Sequence, residues 1–300
     1  MKKFLALMLS ILMLVALCGC ALVSDTGTDA GTDANKNDNA AAKQDKVKVI
    51  DVALSEEAYA FCVGKDDATL LKSVNDYLKK IKGDGTFDAI CDKYFGDGTP
   101  AQITSAAEDK NKDQLIVATS TGFEPFEMVE GGKYSGIDLE IADGLAKYLG
   151  KELVIKDMQF DAVVTSVQQG ICDIGMAGLT ITPAREEVVT FSDSYYSANQ
   201  VLIVPAKNTE FDACTTAEDV VKILKTKTAA KIGCQKGTTG AIYIAGDKDD
   251  PDGYGFEGLP GTKMEYDYAA LAVQAMINGE IDYVIVDNAP ANAIAKAVNR

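Results

Sequence analysis

Residues 174–185 read Ile174-Gly175-Met176-Ala177-Gly178-Leu179-Thr180-Ile181-Thr182-Pro183-Ala184-Arg185. Ile174 to Ala177 is a short apolar strand, and it feeds a loop that runs from Gly178 to Arg185. Upstream of it, Leu115 to Ala118 is a strand, and Ile137, Ile141, Leu145 and Leu149 recur at helical spacing before Gly150 stops them. Val154-Ile155 continues as a strand, and Phe160 to Gln169 forms a helix closed by Gly170. Downstream come a long strand, Ala198 to Val204, a helix Ala217 to Leu224 opened by Thr216, and a strand Lys231 to Gln235. A Gly-Thr turn follows, then a polar loop, Gly246 to Gly261, and a helix Ala269 to Ile277 stopped by Asn278-Gly279. Strand Tyr283 to Val286 leads into a last helix, Ala289 to Val298, with Pro290 in its first turn. Strands alternating with helices in this way predict an α/β protein.

The stretch before Leu115 has the same grammar. Val47 to Val52 and Tyr59 to Val63 read as strands; Leu71, Val74, Leu78 and Ile81 form a helix face, and Phe87, Ile90, Tyr94 and Phe95 a shorter one. Gly96 to Gln114 has glycine, proline, serine and charge without periodicity, and reads as a linker.

At the amino end, Lys2 and Lys3 precede a run from Phe4 to Leu17 that is apolar apart from Ser10. A helix needs about 20 apolar residues to cross a bilayer, so this run has the length of a signal-peptide core. It closes on Leu17-Cys18-Gly19-Cys20, which resembles the bacterial lipobox. Cys20 is therefore the expected lipidated residue, residues 1–20 the signal, and 21–45 a flexible polar tether. The expected location is outside the cytoplasm, held to the membrane by lipid alone.

Composition excludes several classes. The formal charge of −16 repels phosphates and argues against nucleic-acid binding. There is no histidine, which removes imidazole acid–base chemistry and the commonest metal ligand, so no metal or cofactor is expected. Beyond Cys18 and Cys20, the odd set Cys62, Cys91, Cys172, Cys214 and Cys234 contains no CxxC pair and reads as thiols rather than a disulfide framework.

From Leu115 on, the motifs fall in a recognisable order. Thr119 to Glu127 (TSTGFEPFE), Gly136 to Leu139 (GIDL), Met176 to Arg185 (MAGLTITPAR), Phe191 to Tyr196 (FSDSYY), Ile232 to Gly240 (IGCQKGTTG) and Ile281 to Pro290 (IDYVIVDNAP) resemble the family 3 extracellular solute-binding proteins, the amino-acid receptors of ABC importers. In that family the chain goes on past the DNAP motif through strands and helices that resemble Lys46–Asp51, Leu54–Gly64, Leu70–Lys82 and Gly85–Gly96. Here those segments stand first. The chain thus resembles a circular permutant, each element present once, with 97–114 as the permutation linker. As a flexible coil, about 18 residues would span roughly 23 Å.

The resemblance implies a two-lobed, type II periplasmic-binding-protein-like fold with a central cleft and two crossing strands, near Ser197–Val204 and Ser55–Ala60. Within a solute-binding domain 46–300, lobe one would be about 60–196, and lobe two about 205–300 plus 46–55. It also implies roles. Arg185, Thr180, Thr238 and Thr239 would meet a ligand carboxylate; Asp287 and Gly178 its ammonium; Phe123 and Phe160 would clamp its aliphatic part, while Phe126 is core. Asp287 also fits a helix cap, and the two roles are compatible. Relatives that bind basic amino acids tend to carry an acid at the position of Ser120. Ser120 and Gln235 are neutral, which favours an uncharged polar ligand such as glutamine or cystine; an inward Glu124 would favour lysine or arginine instead. The expected partners are a free amino acid, the permease subunits of an ABC importer and, through the lipid, the membrane. The chain is expected to act as a monomer and not as an enzyme. A ligand-binding sensory lipoprotein without transport is the alternative.

Overall fold

The computed structural model describes residues 44–250 and 253–300. The signal, the lipidation at Cys20 and nearly all of the tether lie outside the described residues.

The elements run in chain order as follows. The first part has β1 (Val47–Ile50), β2 (Glu57–Tyr59), β3 (Cys62–Gly64), α1 (Ala68–Gly83) and α2 (Thr86–Phe95). Next come β4 (Gln114–Thr119), β5 (Met128–Glu130), β6 (Lys133–Ser135), α3 (Ile137–Leu149), β7 (Glu152–Asp157) and α4 (Phe160–Gln168). Then β8 (Ile174–Gly175), α5 (Pro183–Glu186), β9 (Val189–Phe191), β10 (Tyr196–Ala198) and β11 (Gln200–Pro205). Last are α6 (Ala217–Leu224), β12 (Lys231–Gln235), α7 (Thr239–Ala245), β13 (Thr262–Tyr266), α8 (Ala269–Ile277), β14 (Tyr283–Asp287) and α9 (Asn288–Val298).

Two five-stranded sheets form two lobes. Lobe one has the order β7-β4-β8-β3-β9, and lobe two β1-β11-β14-β12-β13. In lobe one, β4 lies parallel to β7 and β8, and β3 runs antiparallel between β8 and β9. A central strand of lobe one therefore comes from the first quarter of the chain. In lobe two, β1 pairs antiparallel with β11, four residues in register from Val47↔Pro205 to Ile50↔Leu202. Between the lobes, β2 and β10 pair antiparallel, Tyr59 facing Tyr196 and Glu57 facing Ala198.

The early segment shares its core with the rest. Val74, Tyr77, Leu78 and Ile81 of α1 and Ile90 of α2 are buried in one cluster with Ile137, Ile141 and Leu145 of α3. Each such aliphatic side chain contributes about 1.5–3 kcal/mol by burial. α6 is opened by a capping box, Thr216 and Asp219 bonding each other's backbone amides, as Thr216 before an apolar helix predicts.

Three expectations are corrected. Tyr59 to Val63 is not one strand: Ala60 and Phe61 leave the ladder as the chain passes from the crossing into lobe one. Their backbone groups are met elsewhere, the Ala60 amide by the Leu179 carbonyl at 3.0 Å and the Phe61 amide by Ser192 Oγ at 3.0 Å. Ala198 to Val204 likewise breaks at Asn199, whose carbonyl accepts the Asn288 amide at 2.9 Å. The segment 97–114 is not a loose coil. β7 is an edge strand of the lobe-one sheet, and an edge leaves amides and carbonyls open to pairing. The linker supplies partners: the Ala106 amide donates to the Leu153 carbonyl at 2.9 Å, Ser105 Oγ accepts the Ile155 amide at 2.9 Å, and buried Ile103 bridges Tyr134.

Candidate functional site

The loops that leave β4, β8, β12 and β14 meet the crossing strands, and most of the residues singled out above lie there. The loop after β8 turns at Gly178, whose φ of +53° suits glycine, and a Cβ there would stand 2.9 Å from the Phe123 ring. The Gly178 amide donates to Asp138 Oδ2 at 2.9 Å, and the Tyr195 hydroxyl reaches Asp138 Oδ1 at 2.5 Å. Asp138 opens α3 through the GIDL motif, so a helix start fixes the amide side of the Gly178 turn. Tyr59 of the crossing bridges Thr180 and donates its hydroxyl to Asp287 Oδ1 at 2.6 Å.

Arg185 projects from α5, a single turn capped by Thr182 with Pro183 at its start. It is half-buried, its Nη1 donates to the Thr180 carbonyl at 2.6 Å, and its guanidinium lies 5.3 Å from the centre of the Phe160 ring. Its Nη2 donates to the Gly237 carbonyl of lobe two at 3.1 Å. Further contacts cross between lobes: Lys236 Nζ to Asp161 Oδ2 at 2.6 Å, the Tyr254 hydroxyl to the Ile181 carbonyl at 2.6 Å, and Gln159 Nε2 to the Tyr268 hydroxyl at 3.3 Å. The lobes are closed on each other.

Thr180, Thr238, Thr239, Gln235, Ser120, Phe123 and Asp287 are buried, and Phe160 half-buried. Thr238 caps α7, accepting the Ala241 amide, and its hydroxyl donates to the Gln235 carbonyl at 2.8 Å. Ser120 follows β4, and its hydroxyl is buried without a hydrogen-bond partner in the protein. Glu124 is exposed and lines a surface hollow with Thr121, Gly122 and Tyr268, so it supplies no inward acid. Phe126 is fully buried, as its core assignment expects.

The inward acid is Glu57, which the sequence reading did not single out. Its Oε2 accepts the hydroxyls of Thr180 (2.8 Å) and Thr239 (2.7 Å); its Oε1 accepts Ser55 Oγ (2.7 Å) and Gln200 Nε2 (3.1 Å). The sequence carries no local signal for it: Glu56 and Glu57 stand side by side, and only the fold exposes the first and buries the second.

The electrostatics follow from burial. Desolvation, with Glu57 as a second cause, pushes the Asp287 carboxyl from 3.8 up to about 7, against the Tyr59 hydroxyl, which favours the charged form. Burial, then Asp138, holds the Glu127 carboxyl well above the carboxylate range. Burial also lowers the Arg185 guanidinium below its ordinary value. The cleft thus joins one desolvated cation on lobe one to buried carboxyl groups on lobe two and the crossing. That set can pair both charges of a zwitterion.

The five cysteines of the described residues are free, with Cys62, Cys172 and Cys234 buried. No group of histidine, cysteine or acidic residues among the described residues could hold a metal ion.

Residues 115–252 match the bacterial extracellular solute-binding proteins, family 3. The arginine-binding extracellular protein ArtP of Bacillus subtilis is 36% identical over 105 residues, 35% of this chain and 41% of that one. A glutamine-binding protein of Geobacillus stearothermophilus is 30% identical over 210 residues, 67% of this chain and 72% of that one. The solved structure of holo ArgBP from T. maritima superposes with a TM-score of 0.51 at 32% identity, covering 62% of this chain and 74% of that one. The chain spans between 41% and 65% of the length of ArtP and of the histidine- and arginine-binding relatives from Neisseria gonorrhoeae and Mannheimia haemolytica.

Proposed function

Because this chain belongs to the bacterial extracellular solute-binding proteins of family 3, we propose that it binds a free α-amino acid between its lobes and delivers it to the permease of an ABC importer. The observation that carries this reading is that one closed cleft presents both signs of charge, Arg185 on lobe one and Asp287 on lobe two, each held by other groups of the protein. A buried, unpaired charge is costly, so a receptor for a zwitterion must offer both signs.

The Arg185 guanidinium takes the ligand carboxylate in a two-pronged pair. Thr180 and Thr239 give their hydroxyl protons to Glu57, so these oxygens are left to accept. The backbone amides of Thr180 and of the Thr238–Thr239 turn are what remain to donate to the carboxylate. Asp287 and the Gly178 carbonyl take the ammonium, and the aromatic rings of Phe123 and Phe160 cover the aliphatic part. A micromolar affinity needs about −8 kcal/mol, within reach of one such charge-paired ligand. Ligand binding then biases the hinge at β2 and β10 toward the closed form that a permease reads.

For the side chain, Ser120 and Gln235 favour an uncharged polar ligand, glutamine or cystine, since a buried hydroxyl without a partner is completed by a ligand that hydrogen-bonds. One observation favours a second reading. Glu57 and Asp287 outnumber Arg185 in the cleft, and a basic amino acid would balance that excess.

We also propose that the chain is a circular permutant of the family fold. The support is that β1 and β3, strands of both lobes' sheets, precede β4, while α9 ends beside β1. Cys20 would carry the lipid that keeps this receptor, acting as a single chain, beside its transporter. A thermal-shift screen of the protein against the common amino acids and cystine tests the central reading. Stabilisation of several degrees by one chemical class supports it, and no response to any of them contradicts it.

A further inference from the structure

Behind the Gly178 turn lies a pair of acids that the proposed ligand contacts leave unused. Glu127 and Asp138 are both fully buried. The start of α3 docks on the loop after β4: the Ile137 amide donates to the Pro125 carbonyl at 3.1 Å, and the Asp138 amide to the Phe126 carbonyl at 3.2 Å. Gly136 turns the chain there at a φ of +129°, and a Cβ on it would stand 2.0 Å from the Phe126 carbonyl oxygen. This close approach sets the Glu127 carboxyl against that of Asp138.

The two acids differ in their donors. Asp138 accepts the Gly178 amide at 2.9 Å and the Tyr195 hydroxyl at 2.5 Å. It also stands in the first turn of α3, where the helix favours negative charge. Neither oxygen of Glu127 accepts a hydrogen bond from a donor among the described residues. Ionised, Glu127 would be a buried carboxylate without a donor, beside a second carboxylate. Protonated, it has one O–H to give, and Asp138 is the acceptor it faces. The other groups that face Glu127 are Asp287 at the end of β14, Asp157 at the end of β7, Tyr59 of β2 and Tyr195 just before β10. The first two are acids, and the two tyrosine hydroxyls already donate to Asp287 and Asp138.

Glu127 is tied in turn to Phe123. The Phe123 amide donates to the Glu127 carbonyl at 3.1 Å, and the Glu127 amide to the Phe123 carbonyl at 3.2 Å. A bond from Glu127 to Asp138 therefore links the Phe123 loop to the Gly178 turn. Every one of these groups except Asp287, Tyr59 and Tyr195 belongs to lobe one, so the link does not depend on how the lobes are turned.

We propose that Glu127 is a positioning residue for the ligand: protonated at neutral pH, it donates to Asp138 and holds the Phe123 loop and the Gly178 turn in the placement that receives the ligand's aliphatic part and ammonium. The role toward the ligand rests on the amino-acid reading above; the proton on Glu127 does not.

Urea unfolding of the unliganded wild type and of Glu127→Gln tests the proton. Glutamine is neutral at every pH and keeps an N–H for Asp138. In wild type the folded state retains a proton that the unfolded chain releases above the ordinary 4.5. This group's stabilisation is present below that value and is lost as pH rises. The ratio of the two unfolding constants should change about tenfold per pH unit above about pH 5, the variant gaining on wild type. Parallel pH profiles would overturn the proposal.

Calorimetry at neutral pH with L-glutamine and L-arginine as probes tests the positioning. Glu127→Leu is added, which keeps bulk and removes the donor, with circular dichroism to verify folding. Glu127→Gln should bind as wild type does, and Glu127→Leu about tenfold more weakly. Equal affinities in the two variants would overturn the role. If neither probe binds the wild type, the amino-acid reading fails for both, and the nuclear magnetic resonance of the Gly178 amide decides. Unmoved in Glu127→Gln and shifted in Glu127→Leu, it supports the link; equal in both variants, it overturns it.

Discussion

The side chain of Asn299 holds the backbone of Val47 from both sides: its Oδ1 accepts the Val47 amide at 3.2 Å and its Nδ2 donates to the Val47 carbonyl at 2.8 Å. The same Oδ1 accepts the Lys46 amide at 2.8 Å. Residues 252 positions apart in sequence are thus joined as closely as neighbours in a turn. In the proposed permutation this is the place where relatives run on without a break, and ends that lie close together are what such a rearrangement requires.

That contact predicts the outcome of reversing the order. A chain that starts at residue 97, so that the segment paired with β7 is kept, runs to 300, continues through a short flexible linker to 46 and ends at 96 should fold. Its urea midpoint should stay close to that of the native order, and it should bind the same ligand. A reordered chain that shows no cooperative unfolding would contradict the permutation.

The early segment should be needed, not ornamental. A Cβ added at Gly144 of α3 would stand 1.9 Å from the Tyr77 hydroxyl oxygen of α1. Gly144→Ala should therefore push α1 off α3 and cost about 1–3 kcal/mol in urea unfolding. Adding Tyr77→Phe should recover part of that loss. An unchanged stability would mean that α1 does not dock where the fold has it.

Asp287 predicts a pH dependence with a definite sign. Burial raises its carboxyl from 3.8 to about 7 in the folded protein. Between these values the folded state holds a proton that the unfolded chain has released. This group's contribution to stability therefore falls as pH rises from about 4 to about 7, with a limiting slope of about 1.4 kcal/mol per pH unit. Above that window the full penalty is present in the unliganded protein, and a ligand ammonium relieves it by pairing. Urea titrations of wild type and Asp287→Asn across this range should differ by that slope, and equal slopes would refute the assignment. For the same reason ligand affinity should weaken below about pH 7, where binding must first expel the proton.

Much of this was legible in the chain itself. The strand–loop run from Ile174 to Arg185, the helix stop at Gly150 and the cap at Thr216 are local signals, and they sit where local chemistry places them. Phe126 as core and the neighbourhood of Gly178, Phe123 and Asp287 were legible only because the motifs come in a known order; Tyr59, which holds Asp287, was not. What escaped is non-local. Nothing in the composition of 97–114 announces that it will pair with the open edge of β7, because the partner is supplied by the tertiary fold. The breaks at Ala60-Phe61 and at Asn199 mark where strands change sheets, which no alternation of apolar residues reports. Glu57 was passed over since one acid in an acidic chain is unremarkable until four donors converge on it.

The most direct test of the central claim is isothermal titration calorimetry of the protein with the amino acid that stabilises it best, beside Arg185→Ala and Asp287→Asn. The account predicts one site per chain, micromolar or tighter, weakened by about a hundredfold or more in each variant with the fold intact, as expected when one partner of a buried charge pair is removed. Wild-type affinity retained in Arg185→Ala, or no heat with any amino acid, would contradict it.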